Sequence, residues 1–357
     1  PVEGKVQWFI HPDKITDEVE GALGDIVEFL DEQALSGVLK SLQGKVWIDV
    51  KRSSLWFKDR LNDVLEKDDP CLLPRACKNE VEQAAMKRAH IRDGVALVKF
   101  LKWFQESNEK QTEISVEKKL EKFRAEAKEF KESSFSTIAG YGANGAIVHY
   151  RADEKTSKNI EQNNLLLLDS GAQYEDGTTD ITRTIAVGEP TQEMRERNTL
   201  VLKGHIALAR AKFKKDTIGK DLDKLARGPL QAEDLDYSHG TGHGVGCYLS
   251  VHEEAAVGIS PRSEEPLQAG MIISNEPGYY KEGEYGIRIE NLVQTLEAED
   301  GELYFETITL APIDKNLIVV EMLDEDEIIW FNNYHQKVFE TLSPLLDIET
   351  KDWLKYV

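Results

Sequence analysis

Residues 165–180 read LLLLDSGAQYEDGTTD. Four consecutive leucines bounded by turn residues predict a buried strand. The strand ends on Asp169. Ser170-Gly171 and Asp176-Gly177 supply turns, and Thr178-Thr179 lead to a second acid, Asp180. The stretch predicts a hairpin that brings two carboxylates to one place. An acid at the end of an apolar strand is costly unless it is paired, hydrogen-bonded or bound to a metal. The plain alternative is a surface turn with two solvated aspartates. These sixteen residues alone do not choose between the two; acids and histidines downstream do.

The first of these lie in SHGTGHGVG, residues 238–246, and VHE, residues 251–253, where His239, His243 and His252 cluster. Interleaved glycines let the backbone approach a ligand closely. Residues 271–278, MIISNEPG, and 285–291, YGIRIEN, are apolar strand patterns, each interrupted by one glutamate. On a strand, residues 286, 288 and 290 share a face, so Arg288 and Glu290 point the same way. Asp169, Asp180, Glu276 and Glu290 with at least one histidine form an oxygen-rich set suited to divalent Mn, Co, Fe or Zn. Four carboxylates are too many for one ion. They point to a two-metal site with bridging carboxylates and a shared water or hydroxide, which is a nucleophile at neutral pH and implies hydrolysis. Spacing leaves open which histidine is the ligand.

The rest of the composition bounds the answer. A chain of 357 residues predicts two or three domains. A net charge of −21 disfavours nucleic acid as a partner and suits a cytoplasmic protein. Three cysteines, Cys71, Cys77 and Cys247, do not make a disulfide framework. No apolar run approaches the ~20 residues of a membrane helix, and no signal peptide is evident. The chain opens at Pro1 directly before strand-like sequence, as a fragment or processed form would.

Residues 1–70 alternate strands (6–10 and 45–49) with helices (15–23, 35–42, and one capped by Ser53 or Ser54 that runs to about 65), an α/β pattern. Asp68-Asp69-Pro70 and Pro74 mark a boundary. Helices are predicted at 79–104 and within 112–132, strands at 133–138 and 146–150, then helices at 190–213, 221–226 and 324–342 and a strand at 303–310. His90 reads as solvated and His11 as a loop residue. His149, taken alone, reads as a core histidine, and His205 and His335 as structural. Trp330 and Trp353 read as docking residues.

The order Asp169, Asp180, His243, Glu276, Glu290 resembles the pita-bread metallopeptidases, the fold of methionine aminopeptidase, prolidase and aminopeptidase P. The phrases GANGAIVHYRA, LLLLDSGAQYEDGTTDITRTIAVG, SHGTGHGVGCYLSVHE and SNEPGYYKEGEYGIRIENL resemble the cytosolic type of Xaa-Pro aminopeptidase, and the likeness runs through essentially the whole chain. It implies an α/β (α+β) architecture: a partial α/β middle domain at 1–72, a pita-bread catalytic domain at 73–311 and a helical extension at 312–357. It implies hydrolysis of the N-terminal Xaa-Pro bond by a hydroxide activated by two metal ions, Mn first, with Co, Zn or Fe as alternatives. Asp169 and Asp180 would bind one ion, His243 and Glu276 the other, with Asp180 and Glu290 bridging. His149, His239 and His252 would line the substrate site and stabilise the transition state, and Arg288 and Tyr280 would orient Asp169. Peptides with proline second are the implied partners, and a homodimer the candidate assembly. Two departures stand out: the family's further N-terminal domain is missing, which puts full activity in doubt, and Glu254-Ala255-Ala256 replaces a common Gly-Pro. The alternatives are a prolidase-type dipeptidase, a methionine aminopeptidase, or a metal-free pita-bread module that binds a protein partner.

Overall fold

The computed structural model describes residues 4–253 and 258–357, and the chain divides into two compact units, Pro1–Leu72 and Leu73–Val357. The departure at 254–256 lies outside the described residues. In the first unit, Val6–Phe9 pairs in parallel with Val27–Leu30, and Val46–Ile48 with Val64–Glu66. Parallel pairing needs a crossover, and helices Asp17–Leu23 and Leu55–Lys58 supply it. Ser54 caps the latter helix through the Trp56 N–H, but the helix stops at Lys58 rather than near 65. The residues beyond it are needed as the second parallel strand, and the strand Val27–Leu30 is an addition to the sequence reading. Among the described residues of this unit only Ile48 and Asp49 are buried.

In the second unit, Asn79 caps the helix Glu80–Glu106 in a capping box with Glu82. The helix buries Met86, Ala89, His90, Asp93, Leu97 and Phe100. His90 is therefore a core residue, not a solvated one: its Nδ1 lies 2.8 Å from the Met86 carbonyl, and burial pulls its pKa down. Its charged neighbours mislead because Asp93 is buried with it. Arg124 grips Asp93 at 2.8 and 3.1 Å, and the Tyr174 hydroxyl donates to it at 2.9 Å. The helix carrying Arg124 spans Glu113–Arg124, and Phe130–Ser133 beyond it is a strand.

Ile138–Tyr141, Asn164–Ser170 and Ile181–Val187 form an antiparallel sheet with Asn164–Ser170 in the middle. Leu165–Leu168 are at most 2% exposed, each worth ~1.5–3 kcal/mol of burial. Residues 146–150, expected as a strand, form none. Gly142–Ala146 is a 3-10 turn pressed onto Tyr285–Arg288, where a Cβ on Gly286 would sit 1.8 Å from the Gly145 carbonyl oxygen. A second sheet orders Lys212–Phe213, Leu303–Thr307, Asn291–Glu297 and Ile272–Asn275. The pair Gly278–Lys281 and Tyr285–Arg288 forms a ribbon. Helix Gln192–Ala209 ends before 213 because Lys212–Phe213 joins that sheet. Helix Glu325–Leu342 closes the core with Phe331, Tyr334, Val338 and Leu342.

Candidate metal centre

Strand register places the acids. Asp169 stands opposite Thr182 on one side and Ile138 on the other. Asp180 immediately precedes Ile181–Val187, Glu276 follows Ile272–Asn275, and Glu290 falls between Tyr285–Arg288 and Asn291–Glu297. The two sheets are stitched together at this point. The Glu290 N–H donates to the Thr182 carbonyl at 3.1 Å, and Thr184 Oγ1 accepts from the Arg288 N–H at 3.0 Å and donates to its carbonyl at 2.9 Å. His243 arrives on a loop held to Ile272–Asn275, the strand that leads to Glu276, its carbonyl accepting from the Ser274 N–H at 2.9 Å. Only glycine fits beside it: a Cβ on Gly242 would lie 1.9 Å from the Ser274 carbonyl oxygen.

The five side chains converge. His243 Nε2 is 3.5 Å from Asp180 Oδ2 and 3.5 Å from Glu276 Oε1. One donor atom each from Asp180, His243 and Glu290 lie within 4.8 Å of one another. Four of the five are oriented from behind. Ser274 Oγ donates to Glu276 Oε1 at 3.1 Å, Thr182 Oγ1 to Glu290 Oε2 at 2.7 Å, and Arg288 Nη2 to Asp169 Oδ2 at 2.6 Å. His243 Nδ1 is 2.9 Å from the Gly244 carbonyl, which places its proton there and turns Nε2 to the acids. Asp169 Oδ1 is buried with no hydrogen-bond partner among the described residues.

Electrostatics show what the cluster lacks. Burial raises Asp180 to about 6 and Glu276 to about 7. Burial and the neighbouring acids hold Glu290 well above the carboxylate range. Burial alone would lower His243, but its bond to Asp180 and the charges of Glu276 and Asp180 outweigh it and lift the imidazole to about 9. Buried acids this close repel one another and favour a positive charge among them, and a divalent ion bound at His243 Nε2 would supply that charge in place of a proton. A surplus of buried carboxylates, one imidazole and a free Asp169 oxygen fit a hard or borderline divalent ion.

This cluster forms the floor of a cavity of about 970 Å³ whose lining includes His149, His239 and His252. A hydrogen-bond chain runs from the floor to the wall. Arg288 donates to Asp169 and, at 2.6 Å, to the Tyr280 hydroxyl. Tyr280 in turn reaches His239 Nε2 at 2.8 Å, and His239 Nδ1 stands 2.7 Å from the Gly240 carbonyl. Arg288 and Tyr280 thus touch Asp169 and His239 respectively. Burial and then the Arg288 charge lower His239 to about 3. The His252 ring lies 4.1 Å from that of His243, and the side chain is exposed to the cavity; its partial desolvation and then the His243 charge lower its pKa. His149 is exposed at the rim.

Several contributors escaped the sequence reading. Thr182 had a signal, since it shares a strand face with Asp180. Arg227 had none: it donates to the Tyr237 and His239 carbonyls, each at 2.7 Å, and to Asp223 at 2.7 Å, and so fixes the His239 loop. His205, read as structural, contacts the Asn275 carbonyl and the Asn291 side chain, each at 3.1 Å, behind both glutamates. Among the described residues no helix is long and apolar enough to cross a membrane, and all three cysteines are free.

Comparison with known proteins places the site in context. Residues 84–297 match the model of metallopeptidase family M24, residues 301–356 that of the C-terminal region of this peptidase family, and residues 2–82 the creatinase/prolidase N-terminal domain. Xaa-Pro aminopeptidase 1 of Dictyostelium discoideum is 43% identical over 98% of this chain and 59% of its own length. Aminopeptidase P1 of Lotus japonicus is 42% identical over 91% of this chain and 56% of its own. The chain therefore spans less than two thirds of the length of these relatives. Among solved structures, the X-prolyl aminopeptidase of Caenorhabditis elegans, described as a cytosolic enzyme with a di-nuclear active site, superposes with a TM-score of 0.92 at 33% identity, over 98% of this chain and 61% of that one. The Xaa-Pro dipeptidase of Bacillus anthracis gives 0.70 at 27% identity, over 83% of each chain.

Proposed function

The chain belongs to metallopeptidase family M24, and from that premise we propose that it is a metalloaminopeptidase that hydrolyses the bond between an N-terminal residue and a following proline. The observation that carries this reading is the convergence of Asp169, Asp180, His243, Glu276 and Glu290 on the floor of one cavity walled by histidines. Asp169 and Asp180 would hold one divalent ion and His243 and Glu276 a second, with Asp180 and Glu290 available to both. Manganese is the first candidate. When bound, two such ions supply Lewis acidity and a water that is nucleophilic at neutral pH.

The chain's own residues do the rest. Arg288 engages one oxygen of Asp169 and leaves the other free for an ion, so Asp169 together with the ion it would hold is the partner for the substrate's free amine. A proline after the scissile bond makes a tertiary amide with no N–H, so recognition must come through the carbonyl and the leaving nitrogen. His239, kept uncharged near neutrality by burial, and His252, exposed to the cavity, line the space over the floor; His252 offers a proton donor or acceptor to those atoms directly, and His239 does so on exchanging its Tyr280 partner for the substrate. The reading includes a cytosolic setting, which the free thiols and the cytosolic C. elegans relative support. Similarity to the Bacillus anthracis dipeptidase makes a prolidase-type activity the second reading.

The test is a peptide panel with manganese-loaded protein: Arg-Pro-Pro, its N-acetylated form, Arg-Ala-Ala, Met-Ala-Ser and the dipeptide Arg-Pro. The proposal expects release of arginine from Arg-Pro-Pro and none from the acetylated or alanine peptides. Cleavage confined to Arg-Pro would move the function to a dipeptidase, and preferential release of methionine to a methionine aminopeptidase.

A further inference from the structure

Glu253 directly follows His252, and its carboxylate is buried against a lysine. The side chains of Lys78 and Glu253 are 1% and 3% exposed. Lys78 Nζ donates to Glu253 Oε2 and, at 3.1 Å, to the Ala76 carbonyl. Arg75 Nε stands 3.6 Å from Glu253 Oε1, which is buried without a hydrogen-bond partner among the described residues. Removing two charges from water is expensive, and a packed apolar pair would serve stability as well or better. The pair asks for a positional reason.

Both of its ends are anchored. Lys78 precedes Asn79, the cap of the helix Glu80–Glu106. Its N–H donates to the Gly270 carbonyl at 3.0 Å, and its carbonyl accepts from Gln83 Nε2 at 2.5 Å. The Glu253 N–H donates to the Gly244 carbonyl at 2.9 Å, the same oxygen that His243 Nδ1 reaches at 2.9 Å. Between these fixed points His252 sets its ring 4.1 Å from that of His243. Lys78 and Glu253 stand behind the cavity wall, outside its lining.

We propose that Lys78 is a positioning residue: by gripping Glu253 it fixes the backbone from which His252 reaches over His243 into the cavity. The inference deepens the aminopeptidase reading and rests on it for the role of His252. Without Lys78, the Glu253 carboxylate keeps only the longer Arg75 contact among the described residues, the backbone next to His252 keeps the Glu253 N–H bond to Gly244, and a displacement of about 1 Å at a reacting group costs on the order of a hundredfold in rate.

The experiment compares Lys78→Met, Lys78→Arg, His252→Ala and the Lys78→Met/His252→Ala double variant as manganese-loaded protein. It reads kcat and KM on Arg-Pro-Pro, metal content, and amide hydrogen exchange across residues 244–253. Lys78→Met should lower kcat ~100-fold with little change in KM or metal content, and should expose the Glu253 amide to exchange. Lys78→Arg should restore most of both, and Lys78→Met should cost nothing further in the His252→Ala background. Losses that multiply in the double variant, or unchanged exchange and turnover in Lys78→Met, would overturn the inference. If Lys78→Met does not fold, Lys78→Met/Glu253→Gln leaves no charge unpaired and carries the comparison. Failure of both to fold would assign the pair to stability and overturn the positioning role. If the unaltered protein leaves Arg-Pro-Pro intact, the aminopeptidase reading fails, and exchange at Glu253 still decides what Lys78 does.

Discussion

His205 is fully buried on helix Gln192–Ala209, and acid should find it. Its Nδ1 lies 3.1 Å from the Asn275 carbonyl, an acceptor, and its Nε2 lies 3.1 Å from the Asn291 side-chain amide, a donor. The neutral tautomer with its proton on Nδ1 satisfies both; an imidazolium would set two donors against each other at Asn291. Burial, and then the nearby Arg183 charge, lower its pKa from 6.5 to about 3. The unfolded chain therefore takes up this proton first as pH falls. The stability involved is complete above pH 6.5 and is lost progressively as pH drops toward 3. Between pH 6.5 and 4.5 the loss is about 2 kcal/mol, the slope rising from half of 1.36 kcal/mol per pH unit to nearly all of it, or roughly 4–8 °C in Tm. In His205→Gln the amide N–H and carbonyl can take over the two bonds, and no proton is taken up. Urea unfolding with excess chelator at pH 7 and pH 4.5 should show the unaltered protein losing about 2–3 kcal/mol more than the variant, since every other titrating group cancels in the comparison. Equal acid losses in the two proteins would refute the reasoning.

Other outcomes follow from the same geometry. Purified protein should bind about two divalent ions per chain, and Glu290→Ala should lose metal and turnover together; normal metal content in that variant would remove the bridging role, as metal analysis will show. Replacing His149, His239 or His252 by alanine should lower turnover by ~10²–10⁴-fold with metal retained, whereas metal loss in His252→Ala would make His243 the wrong choice of ligand. Arg124→Met should cost about 3–5 kcal/mol of stability by stranding Asp93, read by denaturant unfolding, and should leave the metal content of the folded fraction unchanged.

What could be read from the chain divides by how local the causes are. The leucine strand, the two aspartates and both glutamates were legible because strand ends and strand faces follow a period of two. The long helix was legible from its apolar spacing and its Asn79 cap. His90 was misread because its face of the helix is buried by pairing Asp93 with Arg124, a residue from the next helix. The expected strand at 146–150 failed because close backbone contact between Gly145 and Gly286 turns the chain there. The expected helix to about 65 failed because Val64–Glu66 is claimed by a parallel partner. The grip of Arg227 on the His239 loop, of Lys78 on Glu253 and of His205 on both glutamate strands joins distant parts of the chain, and no local pattern marks such pairs.

The central claim is that the five converging ligands make a two-metal centre that acts on Xaa-Pro peptides. Titrating chelated protein with manganese while following release of arginine from Arg-Pro-Pro, with Arg-Ala-Ala as control, tests it most directly. The account predicts no release in chelator, activity that rises until about two ions per chain are bound, and an untouched control. Full turnover in chelator, or equal cleavage of both peptides, would contradict it.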